Sequence, residues 1–172
     1  MVTVEEINKL FREYGRTLGS VESFTGGLFA KEMTSVAGAS HFYKGGLVTY
    51  ATEEKNRLVG ITYQEIDTFG VVSKEVATMM AVNGRKVLNV DYCVSFTGNA
   101  GPDAMEGKPV GEIYIAVASQ EATKVFGYQL DGTREEIQQK GVELALNLLK
   151  TTILKIIKKF WTKSQKLTYW YI

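Results

Sequence analysis

The chain has 172 residues, 45% of them hydrophobic and 23% charged, with a formal net charge of +1. That size and balance fit one globular domain with a sizeable core, and they give no global electrostatic reason to expect nucleic acid or an anionic membrane as the main partner. A single cysteine, Cys93, and a single histidine, His41, exclude an internal disulfide and leave almost no room for a zinc site or for histidine as a general base.

The N-terminal segment MVTVEEINKLFREYG carries acids in its first turn and no long apolar core, so it reads as neither a secretory signal nor a membrane span, and a cytoplasmic protein is expected. Thr3 and Glu6 stand at capping-box spacing, and Val4, Ile7, Leu10, Phe11 and Tyr14 recur at helical spacing, which predicts a helix over 4–17. Gly19 to Glu22 reads as a short strand, and after Gly26-Gly27 the segment from Leu28 to Thr34 reads as a helix. Tyr43 to Ala51 predicts a strand in which Gly45 and Gly46 permit a bulge or a close backbone approach. Thr52 is placed to cap a short helix carrying Glu53, Glu54, Lys55 and Leu58.

Thr62 and Glu65 repeat the capping-box spacing before Phe69-Gly70, and Ser73 caps a longer helix with an apolar stripe of Val76, Met79, Met80 and Val87. Asp91 to Phe96 reads as a buried strand, and the long loop from Thr97 to Pro109 after it marks a functional or disordered segment. Gly111 to Ser119 and Lys124 to Leu130 pair as an antiparallel hairpin, because the residues between them are too few for a parallel crossover. The sheet is therefore expected to be mixed. From Arg134, the apolar positions Ile137, Val142, Leu144, Ala145, Leu148, Leu149, Ile153, Ile156 and Ile157 predict a long terminal helix. It becomes lysine-rich from about residue 150 and ends in Tyr169-Trp170-Tyr171-Ile172. This segment reads as a solvated face with an aromatic tail docked on its own domain or a partner subunit; membrane-surface or RNA contact is the other reading. No repeat, linker or change of composition marks a second domain, so residues 1–172 are expected to form one α/β unit with the sheet between helices.

Four polar clusters stand at strand ends or on glycine-bearing loops: Glu22 to Gly27, Ser40 to Gly46, Tyr50 to Lys55 and Thr97 to Gly101. Loops beyond the carboxyl ends of strands in an open α/β sheet can share one cleft. Ser23 is a nucleophile candidate or a local hydrogen-bonder at a strand end. Thr25, Gly26 and Gly27 offer amides at a helix N-terminus to an anion, either a substrate phosphate or an oxyanion, or else form a tight connection. Thr97, Gly98, Asn99, Ala100 and Gly101 bring successive amides and small residues that let a flat ring or a phosphate approach, or form a plain structural loop. Arg134 either grips a phosphate or joins a surface ion pair with Glu135 and Glu136.

Taken in order, ESFTGG, SVAGASHFYKGGLVTYATEEKNRLVGI, GVVSKEVA, FTGNAGPD and KPVGEIYIAVAS closely resemble the CinA C-terminal-domain family over roughly residues 4–150. Members of that family include nicotinamide-nucleotide amidohydrolases. The resemblance implies a three-layer α/β/α sandwich that hydrolyses the carboxamide of nicotinamide mononucleotide to nicotinic acid mononucleotide and ammonia. By motif, it implies Ser23 as nucleophile, Tyr50 and Lys55 as activating groups, and Ser40, Thr97, Gly98 and Arg134 lining the substrate site. Thr25, Gly26, Gly27, Gly46, Asn99, Ala100 and Gly101 complete the candidate binding residues. Standalone chains resemble the deamidase itself, whereas longer relatives carry an additional N-terminal domain. No metal or cofactor is expected; a homodimer is. A nucleotide-binding module without turnover and an interaction protein in competence or DNA damage are the alternatives. The family more often has an aliphatic residue at Asn99, and the piece from Asp103 to Lys108 is slightly short, which predicts an altered loop shape.

Amide hydrolysis needs an activated nucleophile, donors for the oxyanion and an acid for the departing ammonia. A free lysine titrates at about 10.4, and bringing it to about 7 requires roughly 4 to 5 kcal/mol in favour of the neutral amine. Burial can supply this. Tyr50 is expected to point into the same cleft and relay the proton between Ser23 and Lys55.

Overall fold

The computed structural model describes residues 1–168. Five strands, β1 (Leu18–Glu22), β2 (Tyr43–Val48), β3 (Tyr92–Gly98), β4 (Glu112–Ala118) and β5 (Thr123–Gln129), form one sheet in the order β2-β1-β3-β4-β5. β1, β2 and β3 are parallel, β4 runs antiparallel to β3, and β5 runs antiparallel to β4. The hairpin and the mixed sheet therefore stand as expected.

On one face lie α1 (Val4–Glu13), α2 (Leu28–Thr34) and α6 (Arg134–Thr168), whose apolar sides enclose Phe11, Phe29, Phe96, Ile115 and Leu149. On the other lie α3 (Thr52–Val59), α4 (Tyr63–Phe69) and α5 (Lys74–Val87), packed around Val21, Ile61, Val76 and Met80. β1 and β3, covered on both faces, are buried at every position, as central parallel strands must be. The result is a three-layer α/β/α sandwich.

The capping boxes at Thr3 and Thr62 are both formed, with each threonine hydroxyl on the N3 amide and each N3 glutamate on the cap amide. α1 ends at Glu13 rather than residue 17, because Gly15 takes a left-handed φ of 58° and turns the chain toward β1. Ala51, not Thr52, is the N-cap of α3 and makes no side-chain cap; Thr52 is the first helical residue. Val87 sits at the last position of α5 and is exposed; Gly84 takes the inward place nearby, where a Cβ would stand 3.0 Å from Cys93 Sγ. α6 buries Ile137, Val142, Ala145, Leu149 and Ile153, and its Lys150 pairs with Glu6 of α1 at 3.2 Å. The aromatic tail Tyr169-Trp170-Tyr171-Ile172 and the side chains of Ile156 and Ile157 lie outside the described residues. Among the described residues, no helix is long and apolar enough to cross a membrane.

Candidate active site

The site begins where β1 ends. Ser23 follows the last strand residue, its amide donating to the Phe96 carbonyl at 2.9 Å, and the chain then turns through Gly26 and Gly27 into α2. Both glycines have positive φ, 59° and 98°, which a side chain would strain. The turn closes on an internal anion. The Glu22 carboxylate, fully buried, accepts from the Thr25 hydroxyl (2.7 Å), the amides of Gly27 (3.1 Å), Phe29 (3.0 Å) and Ala30 (2.9 Å), and the Ser20 hydroxyl (3.2 Å). Thr25 and Gly27 thus face an anion as their positions suggested, but that anion belongs to the chain itself. Gly26 donates to the Ser23 carbonyl. None of the three lines the cavity described below.

Lys55 comes from the first half of α3 and is fully buried. Its Nζ lies 3.1 Å from Ser23 Oγ and 2.8 Å from the Thr49 carbonyl oxygen, donating to both. Loss of water around the amine lowers its pKa from 10.5 to about 8, opposed by the negative charges of Glu106 and Glu53. An amine so placed is available in its neutral form near physiological pH, in direct contact with a hydroxyl.

Above this pair opens a cavity of about 190 Å³ lined by Ser23, Phe24 and Tyr50 on one side and by residues 98–103, Met105 and Arg134 on the other. Tyr50 is 58% exposed and stands at the mouth. Its hydroxyl accepts from Arg134 Nη2 at 2.7 Å, while Arg134 Nη1 donates to the Gly101 carbonyl at 2.5 Å. Tyr50 thus lines the same cavity as Ser23, but among the described residues its hydroxyl bonds to neither Ser23 nor Lys55, and Lys55 reaches Ser23 directly. Extended backbone alternates its side chains, so Thr49 turns into the core while Tyr50 turns out to Arg134. Arg134, for its part, pairs with neither Glu135 nor Glu136 and has no carboxylate partner among the described residues.

Gly98, Asn99, Ala100 and Gly101 all line the cavity. The Asn99 side chain is turned into its own loop, with Oδ1 accepting from the Gly101 amide at 3.1 Å and Nδ2 donating to the Lys108 carbonyl at 3.2 Å. The Thr97 hydroxyl is committed to the Val71 carbonyl at 2.7 Å. Ser40 and Gly46 are not brought to this cavity. Ser40 lies on a short 3-10 turn before β2, six residues of strand, or about 20 Å, from the end that carries Thr49 and Tyr50. Gly46 lets β2 pass the Ser20 and Tyr43 hydroxyls, which a Cβ would meet at 2.5 and 2.6 Å. Three of the four polar clusters thus converge.

Several contributors escaped sequence reasoning. Asp103, Pro102 and Met105 complete the mouth, Thr49 supplies the carbonyl under the amine, and Gln138 of α6 donates to the Phe24 carbonyl at 2.7 Å. Phe24 itself packs behind the turn against Gly141, where a Cβ would come within 2.8 Å of its ring. The buried acid directly before the nucleophile candidate was the signal available for Glu22; backbone carbonyls leave none. Among the described residues, no three His, Cys, Asp or Glu side chains are grouped to hold a metal ion.

Comparison with known proteins places this geometry in context. The family model described as CinA C-terminal domain matches residues 2–153. A protein of Bacillus pumilus (strain SAFR-032) named as competence-damage inducible is 38% identical over 151 residues, covering 86% of this chain and 36% of that protein. A CinA-like protein of Geobacter sulfurreducens is 42% identical over 149 residues, again 86% of this chain and 36% of the relative. The chain thus spans little more than a third of the length of these curated relatives. The crystal structure of the competence/damage inducible protein CihA from Agrobacterium tumefaciens matches with a TM-score of 0.83 at 31% identity, covering 86% of this chain and 92% of that one.

Proposed function

This chain belongs to the CinA C-terminal-domain family, and from that premise we propose that it is a metal-independent amidohydrolase converting nicotinamide mononucleotide to nicotinic acid mononucleotide and ammonia. The observation that carries the reading is the buried Lys55 amine, 3.1 Å from Ser23 Oγ, with its pKa lowered to about 8. In its neutral form the amine accepts the Ser23 proton while the hydroxyl oxygen bonds to the carboxamide carbon and the carbonyl electrons move onto oxygen. The ammonium so formed returns that proton to the departing nitrogen. Ammonia leaves, an acyl ester remains on Ser23, and water, deprotonated by the same amine, opens it to the acid.

The oxyanion requires donors that are not already engaged. Glu22 holds the amides of Gly27, Phe29 and Ala30, and Asn99 holds that of Gly101. The amides of Phe24 and Ala100 donate to no acceptor among the described residues, and both residues line the cavity; they are the donors in this scheme. The Glu22 charge repels a phosphate from the N-terminus of α2, whereas Arg134 offers a guanidinium held only by neutral oxygens. Substrate therefore lies with its amide on Ser23 and its phosphate toward Arg134. At about 190 Å³ the cavity is smaller than the roughly 300–1,000 Å³ that encloses a whole small ligand. That suits burial of the ring with the ribose phosphate at the mouth.

The test is ammonia release from nicotinamide mononucleotide by the purified chain, with Ser23→Ala as control. Wild-type turnover that Ser23→Ala abolishes is the expected result. Binding without ammonia makes the chain a nucleotide-binding module. Indifference to the mononucleotide, with steeply salt-dependent binding to oligonucleotides, moves it to the competence-related reading.

A further inference from the structure

Glu22 carries a full carboxylate at zero exposure, yet no lysine or arginine pairs with it among the described residues. A buried charge in that condition costs several kcal/mol unless hydrogen bonds replace the lost water. Two hydroxyls and three amides do so here, four of them from the turn and first residues of α2, whose positive end adds to the stabilisation. The same residue is engaged through its main chain. Its carbonyl oxygen accepts from the Thr49 amide at 2.8 Å, and the Thr49 carbonyl accepts from Lys55 Nζ at 2.8 Å. Glu22 does not line the cavity.

We propose that Glu22 is a positioning residue that holds both halves of the Ser23–Lys55 pair: its carboxylate fixes the turn bearing Ser23, and its carbonyl fixes Thr49, whose own carbonyl seats the Lys55 amine. Ser23 and Lys55 stand 32 residues apart in the chain and come from different elements, so their 3.1 Å contact depends on whatever links the two. Glu22 is bonded to both sides at once. Because a displacement of about 1 Å in a reacting group can lower a rate about a hundredfold, a residue that touches no substrate can still govern turnover. The proposal rests on Ser23 and Lys55 acting together as described above.

Glu22→Gln keeps the size of the side chain but turns one accepting oxygen into a donor, so two or more of the five donors lose their acceptor. Thr25→Val leaves the carboxylate and removes a single donor. For both variants, kcat and KM for nicotinamide mononucleotide are measured, together with the titration of the Lys55 Cε by NMR without substrate, at a temperature where each is folded. Glu22→Gln is expected to lower kcat by about a hundredfold with KM within about threefold of wild type. The Lys55 midpoint is expected to move from about 8 up toward its ordinary value of 10.5 as water reaches the amine. Thr25→Val should shift both readouts in the same direction, lowering kcat by about three- to tenfold. A folded Glu22→Gln with unchanged kcat and an unchanged midpoint overturns the proposal, as does a rise in KM alone. If Glu22→Gln does not fold, Thr25→Val decides by the same two readouts. Should the wild-type chain release no ammonia, the functional reading fails, and the midpoint alone then decides for or against Glu22.

Discussion

Two glycine-bearing segments flank the cavity, residues 23–27 after β1 and residues 99–107 after β3, and each is organised by a carboxylate that accepts backbone amides. Glu22 is buried and gathers five donors; Glu106 is exposed and takes two, the amides of Val71 at 2.9 Å and Val72 at 3.2 Å. The same device works at different strengths, because a hydrogen bond to a charge gains as water is removed and weakens where water competes. The first segment is a fixed seat for Ser23; the second is a clasped wall that shapes the mouth. In a sequence both look like cradles for an outside anion, and what separates them is where the nearest acid points.

The sharpest way to break this comparison is at the seat. Ser23→Ala should lower the rate of ammonia release by at least about a thousandfold while leaving the wall and the fold intact, as read from kinetics beside circular dichroism. Lys55→Met should remove activity to a similar extent and stabilise the protein. With a folded pKa of about 8 against 10.5 for an ordinary lysine, the unfolded chain binds more protons between those values, so stability rises with pH across that window. Below pH 8 the buried amine costs the fold up to about 3 kcal/mol, which Lys55→Met should recover in chemical denaturation at pH 7 and not at pH 11. For the wild type, kcat/KM should climb with pH through about 8 as the amine becomes neutral; a flat profile from 6 to 10 would remove Lys55 as the base.

Smaller effects belong to the wall and mouth. Tyr50→Phe strips Arg134 of one neutral partner, and a three- to tenfold fall in kcat/KM carried mainly by KM is expected, about the worth of one hydrogen bond. A loss as large as that of Ser23→Ala would instead make the tyrosine a proton carrier. Glu106→Gln should have the least effect, roughly twofold in KM, since its bonds are exposed. Burial sets most of the Lys55 shift, and the Glu106 charge opposes it. Removing that charge should therefore move the acid limb of the pH profile slightly downward, never upward.

The local chemistry of the chain was legible wherever neighbours in sequence are neighbours in space. Thr3 with Glu6 and Thr62 with Glu65 close their boxes, and the short link between β4 and β5 forces an antiparallel pair. What depended on the third dimension was not. Alternation puts Thr49 and Tyr50 on opposite sides, but that the outward Tyr50 would meet Arg134 of α6, 84 residues on, depends on how α6 packs. That Ser40 falls at the far end of the same strand from Tyr50 was, by contrast, readable from the order of residues, since it precedes β2 and Tyr50 follows it. The presence of an anion at the turn into α2 was foreseeable, but its supply by Glu22 depends on a side chain that folds back over five to eight residues, which no periodicity encodes.

The lone thiol of Cys93 lies at the second position of β3, fully enclosed, and burial pushes its pKa well above the usual range. The thiolate is the form that attacks alkylating reagents and displaces their halide, so the native molecule should resist iodoacetamide until its centre opens. The rate of carbamidomethylation under native conditions then reports how often the innermost strand is exposed. The chain carries its own gauge of breathing, readable by mass spectrometry without any engineered label.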